Sequence, residues 1–594
     1  MAKTNQSERG DGSSRVAGGV CALTVSSLLT KVLGLGFKIP MNRLMGDTAM
    51  GYYNAAYSIF TFFYMLSTAG IPVALSILVA RAAAEEGSAQ VKRVFRTALC
   101  MLIGIGLTGS AVFALFSEAL AKGIGAPPVA WCIAVIAPTL FFICIASALR
   151  GYFQGLSYMV PTAVSQLIEA AGKVCIGIAL GLYALRMGFS PAITAAYAVS
   201  GLTIGTALGM LYLVIVGCFH KPASIPDVAP PQSYRRILAS FAAIALPVTL
   251  SSSVMSLTNM IDTALIQRLL QSAGMTQEAA TAAYGNYTSL AVPLFNLPPV
   301  LVYPIAYAIV PCVTAFHAAG ERDKLRDSVY AALKLAVFIG LPCALGMSVL
   351  AHPILTLLYR AESAAIAAPL LAILAPSSFF VCLLAVTNAV LQSTGKAHLP
   401  LFSMAIGAGV KIAASVLFIP HLGIAASPLG TFLCYAVVCV CNLIGVSAVL
   451  RERLPVVTLF AKPFTAAGVA VAAALAVYTL CAPRLPLIVS LGGAILTAIA
   501  LYLPLLWYGG ALGAAEAQYL PRVIAKRLMK RKGKYHIRTE NHGTENDTRE
   551  DPCAGGQENV YFGRPAHADR NPAQSGGMPV GQGTDAPIHP QRSH

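Results

Sequence analysis

Fourteen apolar runs divide this chain, and no other feature constrains its fold as strongly. The hydrocarbon core of a bilayer is about 30 Å thick and a helix rises about 1.5 Å per residue, so roughly 20 apolar residues make one crossing. The runs occupy residues 16–39, 52–80, 97–116, 129–149, 160–183, 190–219, 237–265, 286–316, 333–350, 364–391, 399–419, 423–450, 464–481 and 485–508. Hydrophobic residues make up 57% of the 594 and charged residues only 11%, too few to cover a soluble fold of this size. The expected class is an all-α polytopic membrane protein with fourteen transmembrane helices.

Basic residues between the runs orient them. Counted from a cytoplasmic N-terminus, the inside loops hold Arg81, Lys92, Arg93, Arg96, Arg150, Lys221, Arg235, Arg236, Arg322, Lys324, Arg326, Lys396, Arg451, Arg453 and Lys462. The outside loops hold Arg43, Lys122, Arg186, Arg268, Arg360 and Arg484. Fifteen against six fits the positive-inside rule with both termini cytoplasmic and the chain in the cell membrane. The net charge of +17 is then a topology signal, and no nucleic-acid partner is expected. Residues 1–15 are polar without a cleavable-signal shape, so the first run is expected to be retained. The 14 cysteines contain no CxxC pair and lie mostly inside apolar runs, as buried thiols do; no metal site is expected.

A Pro-rich cytoplasmic linker, 220–236, separates an N-lobe of six spans (16–219) from a C-lobe of six (237–450). Two further spans follow within 451–508, then a tail, 509–594, that is basic at first and of disorder-type composition afterwards. A weak internal echo supports duplication: Gln154 and Gln392, like Lys173 and Lys411, are 238 residues apart. Two halves of six spans enter the membrane from the same side. They would be parallel repeats with a substrate path between them.

Ionisable groups inside spans cost about 2.5–3.5 kcal/mol each on insertion scales, and so need a purpose. The first run carries Lys31 and Lys38, with Arg43 just beyond; together with Lys411 they are candidates for binding an anionic head group such as a pyrophosphate. Glu169 and Lys173 stand at i,i+4, the spacing of an intrahelical ion pair, and are read as structural or cavity-lining. Asp262 is the lone acid of the seventh run and a candidate for proton or sodium coupling, with Arg268 nearby as an alternative structural partner. Asn388 and Gln392 suit helix-to-helix hydrogen bonding. Five prolines (Pro293, Pro298, Pro299, Pro304, Pro311) predict an eighth span with an interrupted hydrogen-bond ladder. No phosphate-binding loop, HExxH or paired acids of a soluble active site occur, so neither an enzyme nor a cofactor is expected.

Several motifs are shared with one family. Thr30-Lys31-Val32-Leu33-Gly34, Asn42-Arg43-Leu44-Met45-Gly46 and Gly51-Tyr52-Tyr53-Asn54-Ala55-Ala56-Tyr57 resemble the opening of stage V sporulation protein B-like polysaccharide-biosynthesis membrane proteins. Ala69 to Ser76, Arg150 to Gly155 and Pro293 to Pro298 agree. The resemblance covers about residues 15–510. It implies the multidrug/oligosaccharidyl-lipid/polysaccharide flippase superfamily, whose members have two six-helix lobes in a V and often two more helices. In the related lipid II flippases, basic residues of the first span face the cavity. Lys31 and Arg43 match that pattern, while Phe37, with Lys38 beside it, stands where a further arginine is found. Tyr287 and Thr288 replace an acid and an arginine.

The implied function is a flippase for an undecaprenyl-linked peptidoglycan precursor or related lipid-linked saccharide, in spore or cell-wall envelope synthesis. Expected partners are that substrate, membrane lipids and cell-wall synthesis enzymes. Two alternatives stay open: a multidrug/cation antiporter of the same fold, which would favour an acid-rich cavity, and a non-transporting membrane scaffold, for which intramembrane lysines have no use.

Overall fold

The computed structural model describes residues 4–68, 70–219, 232–452, 454–455 and 457–508. The linker at 220–231 and the tail from 509 onward lie outside the described residues. So does the Lys31 side chain, although its backbone belongs to the first helix. Every apolar run is helical. The first half comprises α1 (Thr4–Thr68), α2 (Ile71–Glu85), α3 (Ser88–Leu115), α4 (Ser117–Ile124), α5 (Val129–Ile136), α6 (Pro138–Gly155), α7 (Val160–Arg186) and α8 (Pro191–Phe219). The second half begins with α9 (Tyr234–Ser272) and α10 (Gln277–Asn286). After a π-turn (Tyr287–Ala291) come α11 (Val292–Phe295), α12 (Leu297–Ala319), α13 (Arg322–Val349), α14 (Ala351–Leu358), α15 (Ala361–Ser393), α16 (His398–Leu422) and α17 (Ala426–Leu450). The last two are α18 (Lys462–Cys481) and α19 (Leu487–Tyr508).

Among the described residues, eleven helical stretches are long and apolar enough to cross a membrane. Two of these, Gly36–Glu85 with 50 residues and His398–Leu450 with 53, exceed twice the length of one crossing. Large apolar side chains point outward in number: Leu107 is 59% exposed, Phe402 63% and Ile444 65%. Such a surface would be a liability in water and is the ordinary face of a helix against lipid. The protein is an all-α, multi-pass membrane protein.

Local sequence explains the bends. In α1 the backbone breaks at Gly46 (φ 78°, ψ 176°), a conformation that only glycine adopts cheaply. In the eighth run, Pro293 stands in the first turn of α11 and Pro298 and Pro299 in that of α12, where the helix itself makes no use of an N–H, while Pro304 and Pro311 lie inside α12 without ending it. Small residues set a close helix pair. A Cβ on Gly172 would lie 2.5 Å from Gly205 Cα, and one on Gly201 would lie 2.3 Å from Gly177 N, so α7 and α8 pack backbone to backbone.

Two apolar clusters join the halves. The larger links Phe37, Met50 and Tyr53 of α1 to Ile266 of α9, Tyr284 of α10 and Leu371 of α15. The smaller links Ile71, Leu75 and Val79 of α2 to Ile237, Phe241 and Ala245 of α9. Between them runs a polar seam.

One loop assignment needs correcting. Arg150, expected in a cytoplasmic loop, lies in the last turns of α6 and is only 7% exposed. A buried guanidinium must be paired, and its partner is within the protein.

Candidate functional site

The seam is built from α1, α7 and the broken eighth segment. Pro293 has no N–H, so it orphans a carbonyl one turn earlier, and two carbonyls there take side-chain donors instead. Lys38 Nζ donates to the Thr288 carbonyl at 3.0 Å, and Tyr359 OH donates to the Ser289 carbonyl at 3.2 Å. Lys38 therefore reaches across from the first half into the second. Nearby, Asn54 Nδ2 donates to Ser289 Oγ.

Lys173 of α7 faces the same region. Its ammonium lies 4.4 Å from the ring centroid of Tyr57 and 5.8 Å from that of Phe37. Tyr53 stacks on Tyr57 with centroids 6.2 Å apart, and Phe37 leans on Tyr53 at 5.6 Å. The aromatic faces offer the ammonium electrostatic compensation without a countercharge. Lys38 follows Phe37 on α1, so Lys38 and Lys173 border the same aromatic group. Neither has a carboxylate within ion-pair distance among the described residues.

The expected Glu169–Lys173 pair is not formed. Glu169 Oε2 instead accepts from Arg150 Nη2 at 2.9 Å, while Arg150 Nε donates to Ser165 Oγ at 3.0 Å. The buried Arg150 guanidinium takes the acid, and Lys173 rests against the rings. Among the described residues, Glu169 is paired with Arg150 and Lys173 has no ion-pair partner.

Asp262 is not a lone acid, nor Lys411 a lone cation. They form a 2.9 Å ion pair between α9 and α16, with side chains 13% and 11% exposed. The alternative partner, Arg268, turns away and donates to the Lys122 carbonyl at 3.3 Å. Tyrosines enclose the pair: Tyr284 OH lies 2.9 Å from Thr263 Oγ1, and Tyr287 OH lies 3.2 Å from Thr431 Oγ1. A small cleft of about 20 Å³, room for about one water, opens beside Lys411, lined also by Thr258, Asn259, Met404, Thr431 and Tyr435.

The remaining expected residues are peripheral. Arg43 is exposed and donates to the Leu357 carbonyl at 2.9 Å, one of the orphan acceptors at the end of α14. Asn388 accepts from Asn442 Nδ2 at 2.7 Å and so ties α15 to α17. Gln392 is exposed.

The halves meet beyond both ends of the seam. At one end a Cβ on Gly51 would lie 2.1 Å from the Thr281 carbonyl oxygen, and one on Gly285 would lie 2.2 Å from that of Asp47. Ser363 Oγ donates to Asp47 there at 2.9 Å, and Gln277 Nε2 to Tyr52 OH at 3.1 Å. At the other end Gly70 N donates to Thr249 Oγ1 at 3.1 Å, Gln232 Nε2 to Glu86 at 2.7 Å, and Arg93 covers the Tyr234 ring at 4.2 Å. Sequence reasoning missed Tyr53, Tyr57, Arg150 and Asp47. The i,i+4 tyrosines beside an intramembrane lysine were the available signal for the first two.

Family comparisons agree with this architecture. The model of the polysaccharide biosynthesis protein family matches residues 16–317, just over half of the chain, and the MatE model matches residues 247–417. The lipid II flippase MurJ of Bacillus subtilis (strain 168) is 24% identical over 440 residues, 71% of this chain and 81% of that protein. Stage V sporulation protein B of the same organism is 25% identical over 418 residues, 69% and 79% of the two. A solved lipid II flippase MurJ, in an inward closed conformation, superposes with a TM-score of 0.63 at 14% identity over 81% of this chain and 97% of that one. The chain belongs to the polysaccharide biosynthesis protein family, within the multidrug/oligosaccharidyl-lipid/polysaccharide flippase superfamily of membrane transporters.

Proposed function

We propose that the protein is a flippase that passes the anionic head group of an undecaprenyl-linked peptidoglycan precursor, or a related lipid-linked saccharide, through the seam from inner to outer leaflet. The prenyl chain stays in lipid. One observation carries this reading: Lys38 and Lys173, both half-buried, border one aromatic group and have no carboxylate within ion-pair distance among the described residues. At an effective dielectric of about 20, each ammonium–phosphate contact at about 4 Å contributes about 4 kcal/mol against the desolvation of the head group. Lys173 over the Phe37 ring also supplies a cation where related flippases carry an arginine. Lys31, the other basic residue of the first run, is a further head-group candidate by sequence, and Lys411, paired with Asp262, is one from the second half. A cation-drug exporter would favour unpaired acids along the seam, whereas Glu169 and Asp262 are both committed to ion pairs and Asp47, at its end, accepts from Ser363 and Asn42.

In this reading the fourteen apolar runs are fourteen crossings. Residues 16–219 and 237–450 form two six-span lobes, 451–508 add two spans, and both termini are cytoplasmic. The stretch of 53 residues, His398–Leu450, supports the count, since it holds two runs. The test is binding. Purified protein in nanodiscs should retain an undecaprenyl-pyrophosphate-linked saccharide in native mass spectrometry, and the Lys38→Met/Lys173→Met variant should lose at least tenfold in occupancy. Equal occupancy in the two proteins would remove the seam as the head-group site.

A further inference from the structure

The last residues of the connector between the halves are fastened to the turn between α2 and α3. Gly87 makes that turn, at φ 105° and ψ −177°, a conformation that only glycine adopts cheaply. Glu86 stands just ahead of α3, and Gln90 and Arg93, three residues apart on α3, share one of its faces. Gln232 is held twice. Its side-chain Nε2 donates to Glu86 Oε1 at 2.7 Å, and its backbone N donates to Gln90 Oε1 at 2.9 Å. Ser233 is extended, at φ −65° and ψ 148°, and leads into Tyr234, whose ring centroid lies 4.2 Å from Arg93 Cζ.

Glu86, Gln90 and Arg93 belong to the first half, and Gln232 and Tyr234 to the chain entering the second. Behind them Ile237, Phe241 and Ala245 of α9 pack on Ile71, Leu75 and Val79 of α2, and further along the same face Gly70 N donates to Thr249 Oγ1 at 3.1 Å. α9 cannot part from α2 at this end while Gln232 is held. Gln90 is only 2% exposed, so breaking its bond leaves a backbone N–H and an amide oxygen without a partner until water enters between the halves. Release of Gln232 and hydration of this mouth are therefore one event.

We propose that residues 232–234 are a latch on the α2–α3 turn that holds this mouth of the seam shut, so that opening toward the cytoplasm begins with release of the connector. The connector is then a control element of the transport cycle and not a passive tether. The inference rests on the proposed topology for the side that the mouth faces; the latch contact itself does not depend on it. The second half supplies a comparison. Gly106 of α3 meets Phe141 and Cys144 of α6, and Gly340 of α13 meets Phe379 and Cys382 of α15 in the same way, so α13 is the counterpart of α3. The start of α13 likewise holds the chain that leaves its own half, through Arg326 Nη1 and Glu452 Oε1 at 3.5 Å. That chain leads on to α18 and does not bridge the halves.

Hydrogen exchange of the full-length protein in nanodiscs, read by mass spectrometry, tests the latch directly. A peptide spanning Gly70 reports the contact between the halves behind the latch, and one spanning 234–240 reports the start of α9 itself. Glu86→Ala and Tyr234→Ala change a half-buried and an exposed position and each remove one contact of the latch. Each should speed exchange at Gly70 by roughly 2- to 10-fold, the effect of one such contact on an opening equilibrium. Glu452→Ala should leave it unchanged. Faster exchange confined to 234–240 would reduce the contact to fraying of one helix end and overturn the proposal, as would an equal rise at Gly70 in Glu452→Ala. A second experiment locks the latch. Glu86→Cys/Gln232→Cys, joined by a short cleavable bismaleimide, should stop translocation of an undecaprenyl-pyrophosphate-linked saccharide in proteoliposomes, and cleavage should restore it; each single-cysteine variant treated alike should stay active. Translocation by the cross-linked protein would overturn the latch. No translocation by the untreated wild type would instead refute the flippase reading, and the exchange at Gly70 would still decide the latch.

Discussion

Gly51→Ala is a small substitution with a large geometric consequence. The added Cβ would stand 2.1 Å from the Thr281 carbonyl oxygen and 2.7 Å from its Cγ2. Thr281 cannot rotate away, because the clashing oxygen is backbone and the hydroxyl is fixed to the Gln277 carbonyl at 2.8 Å. Ordinary contact begins at 3.4 Å, so α1 and α10 must separate by the difference, 1.3 Å. Overpacking of that kind costs about 1–3 kcal/mol. The cost falls only on the state in which the two helices touch, so the equilibrium should move toward separation by roughly 5- to 150-fold. On the proposed topology this is the outward end of the seam. The assay is labelling of Asn54→Cys, a buried seam position, by a membrane-impermeant thiol reagent added outside. Gly51→Ala should raise the labelling rate within that range, and so should Gly285→Ala. Gly104→Ala, where a Cβ meets nothing within 4 Å, should not. A folded Gly51→Ala protein with an unchanged rate would refute the claim that this contact closes the seam.

Other outcomes follow from the charges and the topology. Glu169→Gln should destabilise the protein by about 3–5 kcal/mol in detergent unfolding by stranding Arg150, and Arg150→Met/Glu169→Gln should recover much of that loss. A cysteine beside Arg322 should label only from the cytoplasm and one beside Arg360 only from outside; labelling of both from one side would break the fourteen-span count. Lys31→Arg should keep translocation while Lys31→Ala and Lys31→Glu abolish it with normal membrane insertion; a fully active Ala variant would remove Lys31 from the path.

The helices were legible because span length and loop charge act locally, through hydropathy alone. The interruption of the eighth segment was legible for the same reason, since Pro293 and Pro298 mark the first turns of α11 and α12. Pairing was not legible. Lys411 and Asp262 stand 149 residues apart, and no rule of spacing connects α16 to α9. The i,i+4 rule favoured Glu169 with Lys173, but it describes an isolated helix in water. In the folded protein the buried Arg150 on the next helix outcompetes a lysine that has tyrosine faces to rest on. What the residue pattern did provide was the inventory of costly charges, from which packing then chose the partners.

The central claim is that the uncompensated pair Lys38 and Lys173 carries an anionic head group across the membrane. The direct measurement is translocation in proteoliposomes of two fluorescent undecaprenyl lipids with the same saccharide, one joined through pyrophosphate and one through an uncharged ether. Wild-type protein should translocate the pyrophosphate lipid and not the ether lipid, and Lys38→Met/Lys173→Met should lose the pyrophosphate lipid while remaining folded and inserted. Equal transport of both lipids, or an active double variant, would contradict the account.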